Sequence, residues 1–275
     1  MQFYKHILVV INPNKDEQVA INKAIRISER LGSTITALVR RKHAIPKLMD
    51  TLDKKLNVAA VKGITIAIEV SDESNLLRAI VRCQHDKGFG LIIKEPHTPS
   101  LSDHVFLPDD WKLLRGSRCP VLLVNAENYW EDGSPLLVCV NANPADGEHQ
   151  ALNIVVLKAG QLIAKVGKGE CNIVTAYPSI MQNSAAKDQM PTLLEAQYRT
   201  ACHKMLTNQE LPNSQFHIDQ GPPELLIPQV AEKIQAKLVI LGTVARSGLK
   251  GILLGNTAEQ VLSRLKTDIL ILPPE

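Results

Sequence analysis

The sequence predicts an α/β fold built from two tandem, doubly wound parallel sheets, and two observations carry that prediction. Short apolar runs rich in β-branched residues alternate with segments of helical period, which is the rhythm of parallel strands joined by crossover helices. The apolar blocks of the first half then recur in the second half in the same order.

Taken in order, His6 to Asn12 (HILVVIN) is almost unbroken β-branched residue or leucine, as in a strand covered on both faces. Ile21, Ala24, Ile25 and Leu31 follow at helical spacing until Gly32 stops the helix. Four further strands are read at Thr34 to Val39, Ile64 to Val70, Gly90 to Lys94 and Pro120 to Asn125, with helices at Ser74 to His85 and Asp109 to Gly116. The first half therefore has five strands. In the second half, Leu136 to Asn141 (LLVCVN) answers Ile7 to Asn12 (ILVVIN) at an offset of 129. Ile218, Leu226, Ile227 and Val230 answer Ile68, Leu76, Leu77 and Ile80 at 150. Leu238 to Leu241 answers Leu91 to Lys94 at 147, and Asp268 to Leu272 answers Pro120 to Val124 at 148. Offsets that change between blocks while each block keeps its register are what loop insertions between two copies of one domain produce. The domains are read as residues 1–128 and 135–275, joined by the turn-rich ENYWEDGS of Glu127 to Ser134.

Composition narrows the function. With 45% apolar and 21% charged residues the chain is ordinary globular material, and 31 basic against 28 acidic residues, net +3, give no reason to expect nucleic acid. No run approaches the roughly 18 apolar residues of a membrane helix, and Met1 to Asn12 has no signal-peptide pattern, so a cytoplasmic location and no membrane partner are expected. The five cysteines are widely spaced with no C-x-x-C pair, and they read as buried or incidental thiols. Neither H-E-x-x-H nor G-x-S-x-G occurs, so no catalytic or metal-ligating residue is assigned. Asp146, Asp188 and Glu259 are the acidic residues nearest the second-half loops and read as surface charges. Arg40, Arg41 and Lys42, and Lys54 with Lys55, read as solvated charge. Gly167-Lys-Gly169 reads as a turn into the next strand, and Tyr177 to Met190 as a flexible flap in which Met181 and Met190 could line an apolar pocket.

Open parallel sheets bind ligands beyond the carboxyl ends of their strands, where the winding reverses. There the second half reads GTVARSGLKGILLGNTAE, rich in glycine and basic residues, and it runs into a helix from Thr257 to Lys266. Gly242, Gly248, Gly251 and Gly255 would let the backbone approach a ligand, Arg246 and Lys250 add charge, and Asn256 and Thr257 are N-cap residue types. The expected product is an anion cradle completed by Asn141, Ala142, Thr243 and Ala245; a plain connector ahead of an ordinary helix start is the competing reading. The first-half counterpart begins Glu95-Pro-His-Thr-Pro, carries no glycine, and ends in Asp109 and Asp110, read as helix-capping charges that would repel phosphate.

The spacing of Gly242, Ala245, Gly255 and Asn256 resembles the G-x-x-G-x(9)-G-[S/T] pattern of universal stress protein domains, and GTVARSG and LLGNTAEQVL carry the likeness best. The whole chain resembles a tandem universal stress protein of the UspA superfamily, of the E type. The resemblance implies sheets of order 3-2-1-4-5, an adenine nucleotide alpha hydrolase-like fold, a stress-response role and, in some members, ATP held by this loop, with Mg²⁺ on its phosphates. It also implies an internal pseudo-dimer, with a homodimer as a further arrangement. Three departures stand out: Ala245 replaces a glycine, Asn256 replaces Ser or Thr, and Asn141 or Asn143 stands where many ATP-binding members carry an acidic residue. The leading reading is a non-enzymatic stress-response protein with its ligand in domain 2 and a degenerate domain 1. An ATP-dependent switch or weak ATPase, a carrier of a small apolar metabolite, and a scaffold for partner proteins are the alternatives.

Overall fold

The parallel ladders follow from the strand composition: β-branched residues and leucines buried on both faces leave no solvated side, so crossover helices must cover them. The computed structural model describes residues 4–96, 109–117, 119–125, 130–143, 147–178, 191–206, 215–243 and 256–273. Contacts divide the chain into two compact units, Met1–Glu127 and Asn128–Glu275.

In the first unit, β1 (His6–Val10), β2 (Thr34–Arg40), β3 (Ile66–Ser71), β4 (Leu91–Lys94) and β5 (Val121–Leu123) alternate with α1 (Val19–Leu31), α2 (Pro46–Val61), α3 (Leu76–Lys87) and α4 (Asp109–Gly116). All ladders are parallel, and the pairings give the order β3-β2-β1-β4-β5. Ile7, Leu8, Val9, Ile92 and Ile93 are fully buried and form the centre of the core. α1 packs Ile21, Ala24, Ile25 and Ser28 on one face and ends at Gly32, whose left-handed φ of 67° lets its N–H reach the Ser28 carbonyl at 2.8 Å. α3 starts where the Asn75 side chain accepts from the Arg78 N–H at 3.0 Å.

The second unit contains β6 (Leu136–Cys139), α5 (Gly147–Gly167), β7 (Cys171–Tyr177), α6 (Pro191–Met205), β8 (Phe216–Gln220), α7 (Pro223–Lys233), β9 (Leu238–Gly242), α8 (Asn256–Arg264) and β10 (Asp268–Leu272). Its ladders are parallel with the order β8-β7-β6-β9-β10, so both sheets have the expected 3-2-1-4-5 winding. Pro228 lies inside α7 and has no N–H for the Glu224 carbonyl; Arg264 Nη1 of α8 donates to that oxygen instead, at 3.1 Å.

The ladders test the repeat directly. Ile7 pairs with Leu91 and Leu136 with Leu238, so the offsets of 129 and 147 are structural equivalences. One block differs. Ala37 faces Ile68 in the first unit, whereas its counterpart Ile173 faces Phe216, an offset of 148 where the apolar pattern suggests 150. A slip of two residues keeps every side chain on its own face, so the pattern cannot register it.

Two glycines mark close contacts in the second unit. A Cβ on Gly169, after the left-handed Lys168, would sit 2.2 Å from the Ser134 carbonyl oxygen, which makes Gly167-Lys-Gly169 the expected turn into a strand. A Cβ on Gly160 of α5 would sit 2.3 Å from Val138 Cγ2. Gly160→Ala gains up to about 1 kcal/mol of helix propensity and loses about 1–3 kcal/mol to overpacking. Urea unfolding is expected to show a lower midpoint at unchanged slope; a raised midpoint would contradict the packing of α5 on β6.

Candidate functional site

In each unit the loop after the first strand lies at the reversal of winding, and the same device holds it. Gln18 is fully buried at the start of α1; its Oε1 accepts from the Asn12 N–H at 3.2 Å and its Nε2 donates to the Asn12 carbonyl at 2.8 Å. Asn153 of α5 repeats this on Asn141, accepting from its N–H at 3.0 Å and donating to its carbonyl at 2.7 Å. Asn12 Oδ1 and Asn141 Oδ1 then accept from the Asn14 and Asn143 N–H groups, both at 3.1 Å, forming matching Asx turns. The asparagines are equivalent at the offset of 129, but the clamping amide lies six residues later in one unit and twelve later in the other. Sequence reading missed it, because the two clamps differ in residue type as well as in spacing.

Of the expected second-unit site, Asn141, Ala142, Gly242 and Thr243 are described, and they come together at the carboxyl ends of β6 and β9. Ala245, Arg246, Gly248, Lys250 and Gly255 lie outside the described residues, as do Asp146, Asp188, Met181 and Met190 and the side chains of Asn256, Thr257 and Glu259. Asn141 is exposed, and its Nδ2 has no partner among the described residues. Ala142 and Thr243 are framework: the Ala142 N–H donates to Thr175 Oγ1 at 3.3 Å, and the Thr243 N–H donates to the Leu272 carbonyl at 2.9 Å. Gly242 requires a correction. It was expected to admit a ligand, but it is the last residue of β9, and a Cβ there would sit 2.4 Å from Leu152 Cγ, so its missing side chain makes room for α5.

The first unit holds a cleft of about 450 Å³ across the carboxyl ends of β2, β1 and β4. Val10, Leu38, Val39, Leu48 and Leu76 supply apolar wall. Where the second unit has the Ala142–Thr175 hydrogen bond, the first has Pro13 and Val39, so donor and acceptor are lost together. At the β4 side of the cleft edge two charge pairs form. Lys94 Nζ lies 2.6 Å from Asp110 Oδ1, both side chains being about nine-tenths buried, and it donates to the Glu95 carbonyl at 2.7 Å. Glu95, 2% exposed, accepts the Val19 N–H on Oε1 at 3.1 Å and meets Lys15 through Oε2 at 2.9 Å. Its carboxylate thus fills the positive end of α1. Asp110, in the first turn of α4, is also the buried partner of Lys94, and the ladders make Leu241 and Gly242 the counterparts of Lys94 and Glu95 in the repeat.

Arg40 also departs from its solvated reading. It is half-buried on the cleft rim and donates to the Ser74 carbonyl at 2.9 Å and to His43 Nε2 at 3.2 Å. Burial, then Arg40 and Lys42, hold the His43 pKa below the ordinary 6.5, so at neutral pH the ring is uncharged. Arg41 instead turns to Asp72, which holds that carboxyl below its usual value. Burial raises the thiols, with Cys83 pushed up to about 11 and Cys171 and Cys202 to about 12, as expected of inert core cysteines.

The fold defines a tandem doubly wound α/β protein with a reversal of winding in each half. The chain belongs to the universal stress protein family, which groups it with stress-response proteins: the pattern described as "Universal stress protein family" matches residues 144–273. Universal stress protein E of Escherichia coli (strain K12) is 30% identical over an alignment of 303 positions covering 100% of this chain and 96% of that protein. The crystal structure of a functionally unknown protein from Pseudomonas aeruginosa PAO1 superposes with a TM-score of 0.83 at 34% identity, covering 98% of this chain and 92% of that one. A universal stress protein from Archaeoglobus fulgidus DSM 4304, at 15% identity and a TM-score of 0.66, shares the fold over 98% of this chain and 97% of that one.

Two outcomes follow from the charges. Asp110→Ala strands a buried ammonium and should cost about 3–5 kcal/mol, whereas adding Lys94→Leu, the residue type of the second unit, should recover most of the loss. Equal stability of the single and double variants would contradict a buried pair. A base whose folded pKa is depressed takes up protons more readily when unfolded, so His43 makes stability rise with pH through a window below 6.5. His43→Gln should flatten that acid limb in urea midpoints; an unchanged slope would assign it elsewhere.

Proposed function

We propose that this chain is a cytoplasmic, non-enzymatic ligand-binding stress-response protein whose second unit holds an adenine nucleotide. The observation that carries the reading is Asn141. It stands at the reversal of winding between β6 and β9, its backbone and Oδ1 are engaged within the protein, and its Nδ2, with no partner among the described residues, can donate to an acceptor. The sequence between β9 and α8 is rich in glycine up to Gly255, and a helix start with glycine before it suits phosphate oxygens. Among the described residues no three His, Cys, Asp or Glu side chains converge, so a Mg²⁺ in this reading arrives on the nucleotide. No helix among the described residues is long and apolar enough to cross a membrane.

Calorimetric titration with ADP is expected to give one site per chain, and Gly255→Val should abolish it by blocking approach to the loop while far-UV circular dichroism stays unchanged. Two sites per chain, or equal affinity in the variant, would overturn the assignment. Turnover of ATP lost in the same variant would instead establish a nucleotide-driven switch.

A further inference from the structure

We infer that the cleft of the first unit is a second binding site of different chemistry, taking an amphipathic organic anion with one acidic head and an aliphatic body. Three observations point to that class. The volume of about 450 Å³ lies in the lower part of the range of roughly 300–1,000 Å³ usual for small-molecule pockets. The wall formed by Val10, Leu38, Val39, Leu48 and Leu76 is apolar, because Pro13 and Val39 remove the donor and the acceptor that the second unit has at these places. The rim is cationic and unbalanced: Lys15 is matched by Glu95 and Lys94 by Asp110, whereas neither Arg40 nor Lys42 has a carboxylate partner among the described residues. What the cleft lacks is negative charge beside an apolar body.

The same geometry disfavours a nucleotide here. The Glu95 carboxylate already occupies the N–H of Val19 at the start of α1, so a phosphate at that helix end would meet a buried carboxylate. A monoanionic head near Arg40, Lys42 and Asn12, which line the cleft together, meets donors, since Asn12 Oδ1 is engaged by the Asn14 N–H.

Decanoate is the probe, with decanol as its uncharged counterpart. Calorimetry on the full chain is expected to give one decanoate per chain and at least tenfold weaker binding for decanol. Arg40→Ala combined with Lys42→Ala should weaken decanoate at least tenfold, and Lys42→Glu alone, at an exposed side chain, should do so without touching the fold. Leu76→Trp, at the half-exposed start of α3, should fill the cleft and abolish binding. Decanoate affinity should persist in Gly255→Val, so that failure of the nucleotide reading and failure of this one are told apart. Absence of decanoate binding, equal affinity for decanol, indifference to Lys42→Glu, or displacement of decanoate by ADP in the Gly255→Val protein would each overturn the inference.

Discussion

The geometry of both units depends on one interaction: a side-chain amide that answers the N–H and the carbonyl of an asparagine at the end of the first strand. Gln18 does this for Asn12 and Asn153 for Asn141. A backbone leaving the sheet has lost its ladder partners, and a buried polar group left unsatisfied costs about 1–3 kcal/mol. The amide satisfies both groups with one planar side chain and so sets the path of the loop at the reversal of winding. Each asparagine's own oxygen then binds two residues on, so that the loop presents its remaining donors in a fixed direction. Removing the clamp would leave the loop without a defined position, and the site would go with it.

On that shared frame the units have diverged through paired substitutions. Glu95 stands where the repeat has Gly242, and each answers a different need: Glu95 satisfies the start of α1 and Lys15, whereas Gly242 lets Leu152 of α5 pack against β9. Pro13 with Val39 replaces Ala142 with Thr175, which turns a hydrogen-bonded wall into an apolar one without stranding a polar atom. Lys94 with Asp110 occupies a place where the second unit has Leu241, and burying that pair is tolerable only because both members are present. These differences give two copies of one winding two different surfaces at the reversal point.

Much of this was legible in the sequence. Apolar runs identified the strands, Gly32 marked a helix end through its left-handed backbone, and three of the four offsets became ladder registers. The fourth was misread by two residues because strand patterns repeat every two. The amide clamp was illegible: its function depends on where a side chain points in space, and it recurs at unequal spacing with Gln in one copy and Asn in the other. The roles of Asp110, Arg40 and Gly242 were missed for a related reason. A charge or a glycine viewed along the chain shows what it could do, and only its neighbours across the sheet decide what it does.

The central claim is that one frame carries two non-equivalent sites, and hydrogen–deuterium exchange with each ligand in turn tests it most directly. Exchange should slow with decanoate only in peptides spanning residues 10–15, 38–48 and 94–96, which line the first cleft, and with ADP only in peptides around Asn141 and the start of α8. Protection of the same unit by both ligands, or of both units by either one, would contradict the account.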